Sequence, residues 1–189
     1  DVRESLALAS HEGAQLPGER LVEIRTVLRQ VELVRRYLAG KAADFPALAD
    51  LPRHLQSLPE LEATLSRMLD DAGLLRDDAS AHLAELRAKI RAVRQDLEDR
   101  LDRLVAKSGD LADRYVTIRN NRFVVPVRAA TASRLPGVVQ DRSASGETLF
   151  VEPMFAIDLN NRLLLLRKEE ENEERRLLTL LTAEVGTVR

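Results

Sequence analysis

With 189 residues, 44% of them hydrophobic, the chain holds enough apolar material for one substantial core or two small ones, which excludes a disordered segment. Charged residues make up 32% but nearly cancel to a net charge of -2, and aromatics are 3%, which excludes a polybasic tail and a long base-stacking surface and leaves any nucleic-acid contact to local clustering. The absence of cysteine excludes disulfides, thiolate chemistry and Cys-ligated zinc, and favours a reducing compartment, read here as the cytoplasm.

Residues 1–75 read as a helical core segment. Pro17 and Gly18 mark a turn, after which Leu21, Ile24, Leu28, Val31, Val34 and Leu38 keep to a 3.6-residue stripe, with Gly40 where a C-terminal cap is expected. Pro46, Pro52 and Pro59 forbid one continuous helix after it, because each lacks a donor and disfavours helix at the residue before it. A further helix is predicted from about Pro59 to Leu69 through Leu61, Leu65 and Met68, and Asp70 to Gly73 form a turn or short hairpin.

Residues 76–111 read as one rising helix, with Asp77 and Asp78 as its N-cap and first-turn acids. Leu83, Leu86, Ile90, Val93, Leu97, Leu101 and Leu104 recur at steps of three and four, the seam for one partner helix. At about 1.5 Å per residue this is a projecting rod on the order of 44 Å long.

Residues 112–153 read as a β-rich insert. Val116 and Ile118, then Phe123, Val125 and Val127, alternate around Asn120-Asn121, a pair that tolerates the positive φ of a tight hairpin turn. Gly137 to Asp141 and Thr148 to Val151 are further strands, and Tyr115, Phe123 and Phe150 are expected to point inward. Residues 154–189 read as a descending helix from about Ile157, burying Leu159, Leu163, Leu166, Leu177, Leu178, Leu181 and Val185. Its charged middle, Arg167 to Arg176, is expected to be solvated and braced by pairs such as Glu171 with Arg175. The fold class is therefore mainly α with a small β insert: a helical core and two long antiparallel helices joined by a β-rich module. Apolar runs such as Leu163 to Leu166 fall far short of the roughly 20 residues of a membrane span, so no membrane contact is expected. Asp1 opens the chain and its last residues lie in an unfinished helical pattern, so a piece of a longer protein is expected.

Few residues invite chemistry. His11, His54 and His82 stand alone, none with a second histidine at the i+3 or i+4 spacing of a helix-borne metal site. Asp77-Asp78 as a metal-dependent cleavage site is weaker than Asp77-Asp78 as a cap. Ser143-Ala144-Ser145-Gly146 lacks the glycine spacing of a nucleophile elbow, no GxxxxGK[ST] run exists, and the loop reads as a turn whose hydroxyls cap backbone groups. Charge is more informative. Arg114, Arg119, Arg122, Arg128, Arg134 and Arg142 face a single acid, Asp141, between positions 114 and 146. Guanidiniums gathered in this way suit phosphate pairing, with backbone contact rather than sequence reading as the mode.

Three stretches, "NRFVVPVRAA", "PGVVQDRSASGETLFVEP" and "LNNRLLLLRKEEENEERRLLTLL", resemble the middle of the second bacterial branch of the MutS family, the branch linked to recombination control. "DDASAHLAELRAKIRAVRQDLEDRLDRLV" resembles the rising lever helix of that family, and "EGAQLPGERLVEIRTVL" its core helices. Gln140 departs from the pattern, which has histidine before the aspartate. The resemblance implies a core, lever and clamp-like region between an N-terminal segment and an ATPase, in a homodimer that binds branched DNA, suppresses recombination and carries a C-terminal Smr nuclease domain; some members act on collided ribosomes. ATP and magnesium are implied for the parent protein, and no cofactor or catalytic residue for these 189 residues. The function expected is a non-catalytic module linking nucleic-acid contact through those six arginines to a separate ATPase domain; the alternatives are a helical dimerisation or docking scaffold and a module of a ribosome-acting factor.

Overall fold

The structure is a computed structural model that describes residues 2–41, 50–51, 55–109 and 111–187. His54, Pro46 and Pro52 lie outside the described residues. In chain order the elements are α1 (Arg3–Ala9), α2 (Gly18–Lys41), α3 (Pro59–Met68), α4 (Ala81–Lys107), β1 (Thr117–Arg119), β2 (Arg122–Arg128), a 3-10 turn (Ala129–Arg134), β3 (Gly137–Arg142), β4 (Thr148–Pro153) and α5 (Met154–Gly186). The chain is mainly helical with one four-stranded antiparallel sheet of order β1-β2-β4-β3. It forms two compact units, Asp1–Ala84 with Asn172–Arg189, and Glu85–Glu171, so the division falls inside α4 and inside α5.

The first unit is built on Leu21 and Ile24 of α2, Leu61, Leu65 and Met68 of α3, Leu83 of α4, and Leu177, Leu181 and Val185 of α5. Burying side chains of this size stabilises by about 2 kcal/mol each relative to exposure. The stripe along α2 is fully buried only at its start: Leu21 and Ile24 are buried, Leu28, Val31 and Leu38 are half-buried, and Val34 is exposed. Gly40 lies inside α2 rather than beyond its end. The real constraint on glycine is at Gly18 and Gly73, where a Cβ on Gly18 would sit 1.8 Å from the Gly73 carbonyl oxygen, and Gly73 adopts φ +85. Asp70 shapes that turn by accepting the Ala72 and Leu74 N–H groups at 2.9 and 2.8 Å.

The cap of α4 corrects the sequence reading. Ser80, not Asp77 or Asp78, accepts the Leu83 N–H at 3.0 Å, and the same hydroxyl donates to Glu173 at 2.7 Å. Glu173 is buried in what reads as a solvated stretch, and Arg176 donates to both its oxygens at 2.7 and 2.8 Å. The Arg176 hydrogen bonds outweigh burial and, with the Ser80 hydroxyl, hold the carboxyl at about 2 against an ordinary 4.5. A depressed folded-state value means that the ionised form stabilises above 4.5, and that this contribution is lost as pH falls from 4.5 towards 2. Thermal melts of the chain and of Glu173→Gln across that window are expected to converge at the acid end; parallel profiles would contradict it. The nearby pair that periodicity suggests, Glu171 with Arg175, gives way to Lys168 with Glu171 at 2.9 Å and Arg175 with Asn172 at 3.2 Å.

The second unit places Leu86, Val93, Leu97, Leu101 and Val105 of α4 against Ala156, Leu163 and Leu166 of α5 and against Phe123, Val125, Val127 and Val151 of the sheet. Arg87 and Glu170 pair across the two helices at 2.9 Å. The helix seam read from periodicity thus meets a partner helix, and it also carries the inner face of the sheet. α5 starts at Met154, directly after β4, rather than near Ile157. Tyr115 is exposed, whereas Phe123 and Phe150 are buried.

Candidate nucleic-acid interface

The β1–β2 hairpin turns on Asn120 and Asn121, with φ of 50 and 61, the mirror-image conformation that a two-residue turn requires and that Asn adopts at low cost. Arg119 and Arg122 face each other across that turn. One step further in, Ile118 opposes Phe123, a position whose backbone groups point away from the partner strand. β4 does not supply them: pairing of β2 with β4 begins at Val125 opposite Val151. Asn160 of α5 does. Its Oδ1 accepts the Phe123 N–H at 2.9 Å and its Nδ2 donates to the Phe123 carbonyl at 3.1 Å, so one side-chain amide stands in for a strand peptide.

The same Asn160 amide donates at 2.8 Å to Glu152 of β4, a carboxylate only 1% exposed. Arg122 donates to Glu152 at 2.7 Å and to Asn161 at 2.6 Å, and Gln140 of β3 donates to the second Glu152 oxygen at 2.7 Å. A buried charge is tolerated only when paired and fully hydrogen-bonded, and here three donors from β2, β3 and α5 meet that condition. Gln140, the departure from the family pattern, has this structural task. The sequence reading missed the network; its available signal was a glutamate among the apolar residues of β4.

The six sequence-predicted arginines therefore part company. Arg122 is committed to Glu152. Arg119 lies 3.3 Å from Asp141 and stacks over the Phe150 ring at 4.2 Å. Arg114, Arg128, Arg134 and Arg142 are exposed. Arg128 and Arg142 lie at the same end of the sheet but on opposite faces, because Arg128 pairs with Thr148 and Arg142 with the next residue of β4, Leu149, and successive strand side chains alternate. Neither guanidinium has a hydrogen-bond or ionic partner among the described residues. Between them runs the β3–β4 turn: Ser143 donates its N–H to the Thr148 carbonyl at 2.9 Å, its hydroxyl accepts the Thr148 N–H at 3.1 Å, and Gly146 takes φ +77. The Ser143 and Ser145 hydroxyls cap backbone groups of their own turn. The Ala129 N–H donates to the Glu147 carbonyl at 2.8 Å and ties the 3-10 turn, with Arg134 at its end, to the same end of the sheet.

Over 98% of its length the chain is 36% identical to the Endonuclease MutS2 of Aquifex aeolicus, and over 86% it is 38% identical to that of Symbiobacterium thermophilum. The Endonuclease MutS2 of Pelotomaculum thermopropionicum is 35% identical over 98% of the chain. The chain belongs with the MutS2 proteins. It spans about a quarter of the length of these curated relatives, 25%, 21% and 24% respectively. No family model matches it.

Of the histidines within the described residues, His11 closes α1 with its Nδ1 3.0 Å from the Ala7 carbonyl oxygen, and His82 lies near Glu173 and helps lower its pKa. Among the described residues no three His, Cys, Asp or Glu side chains converge as metal ligands. The residues of this MutS2 segment offer no GxxxxGK[ST] cradle for nucleotide phosphates. Among the described residues no helix is long and apolar enough to cross a membrane.

Proposed function

We propose that this MutS2 segment is a non-catalytic core, lever and clamp-like region that contacts branched DNA and links that contact to a separate ATPase domain, as part of a homodimer that restrains recombination. The observation that carries the reading is the pair of exposed, unengaged guanidiniums of Arg128 and Arg142 flanking one sheet turn. Exposed arginines without internal partners retain their full capacity to replace the counterions of phosphates. Helices α4 and α5, of 27 and 33 residues, have the length a lever needs. The relatives are named endonucleases, and ATP with magnesium would act elsewhere in such a protein. Binding of the chain to a four-way junction and to a duplex, titrated across salt, tests the reading. The junction is expected to bind more tightly, with a steep loss of affinity as salt rises; no binding at about 50 mM salt sinks it.

One observation favours docking as a second role. Leu33, Val34 and Tyr37 of α2 are 58%, 46% and 67% exposed, an apolar face of the kind that partners cover. Sedimentation of the chain separates the two: a tight dimer indifferent to DNA supports docking in place of DNA contact.

A further inference from the structure

We propose that a second, distinct surface, the face of α4 that carries Arg100, Arg103 and Lys107 together with the ring of Phe155, binds a single unpaired nucleic-acid strand. Steps of three and four put these cations on one side of the helix, beside the buried seam of Leu97, Leu101 and Val105. With Asp96, Leu104 and Phe155 they line one open groove. Asp96 is the one carboxylate of that groove, and it pairs with Arg100 at 2.8 Å. Arg103 donates from Nε to the Asp99 carbonyl at 3.0 Å, which leaves its two outer nitrogens to a ligand, and Lys107 has no partner among the described residues.

The ring decides the class of ligand. Phe123 and Phe150 are 4% and 7% exposed, but Phe155 is 40% exposed at the edge of this cationic groove. Phosphates answer the cations; an apolar ring beside them answers a base whose face is open, which a duplex hides and an unpaired strand offers. Arg100 and Lys107 lie seven residues apart, about 10 Å along the axis, a length suited to neighbouring phosphates of one strand. The Met154 N–H donates to the Pro136 carbonyl at 3.0 Å, which sets the first turn of α5, and so Phe155, beside the chain that leaves Arg134. None of this depends on Arg128 or Arg142.

Fluorescence anisotropy with a labelled oligothymidylate somewhat longer than the roughly 16 nucleotides of a large single-strand site, and with a duplex of the same length, tests the assignment. Phe155→Ala is expected to weaken strand binding at least about five-fold and to leave duplex binding nearly unchanged, and Phe155→Trp to retain strand binding. Arg103→Glu with Lys107→Glu is expected to weaken strand binding and to reduce its salt slope by about 1.4. Retention of strand binding in Arg128→Glu with Arg142→Glu supports a separate site, whatever happens to the junction. The inference is overturned if the parent chain fails to bind the strand at about 50 mM salt, if both the Phe155→Ala and the double charge variant bind it as the parent does, or if Phe155→Ala weakens strand and duplex equally.

Discussion

Glu152→Ala is expected to lower the stability of the chain by about 3 kcal/mol, read from chemical denaturation. The carboxylate is 1% exposed and receives hydrogen bonds from Arg122, Asn160 and Gln140 at 2.7 to 2.8 Å. Its removal strands three donors. The Arg122 side chain, at 22% exposure, recovers some solvation, which sets the expected loss at the lower end for a broken buried pair. Glu152→Gln keeps the volume but turns an amide N–H towards one of those donors, so a smaller loss of about 1 to 2 kcal/mol is expected. Asn160→Ala acts on the same joint from the helix side, since it orphans both backbone groups of Phe123 as well as one Glu152 contact. If Glu152→Ala costs less than about 1 kcal/mol, the network does not hold the sheet to α5.

Arg128→Glu combined with Arg142→Glu is expected to cut affinity for a four-way junction on the order of 10- to 100-fold and to lower the salt slope by about 2, one phosphate contact for each arginine. Stability is expected to stay put, because both side chains are exposed and hold nothing internally. Arg122→Ala is the instructive contrast: its effect is expected on the melting temperature, through the stranded Glu152 carboxylate. A double variant that binds the junction as the parent does, with an unchanged salt slope, removes these two arginines from the interface.

Local patterning carried much of the fold. Asn120-Asn121 announced its hairpin because few residues other than Asn and Gly accept the positive φ of that turn. The leucine seam of α4 announced its buried face because a helix returns to one side every three to four residues. Pro59 stands at the first position of α3, where its missing donor costs nothing. Helix ends were harder to read: Ser80 takes the cap from Asp77 and Asp78, because a third partner, Glu173, rewards its hydroxyl from 93 residues away along the chain.

The candidate site shows the same limit in sharper form. By itself the sequence determined that six arginines crowd positions 114 to 142, since local density of charge is a property of order along the chain. Which of them face outward is a property of space. Arg122 and Arg128 lie six residues apart on one strand and look equivalent in the sequence, yet one meets a buried carboxylate brought in by β4 and the other ends the strand in solvent. Phe155, which no pattern in the sequence singles out, is left at the surface by the direction α5 takes from Met154. Periodicity and turn chemistry are local and repeat within a few residues, whereas the pairing of a charge or the covering of a ring depends on whichever distant segment arrives there, and only the tertiary structure decides that.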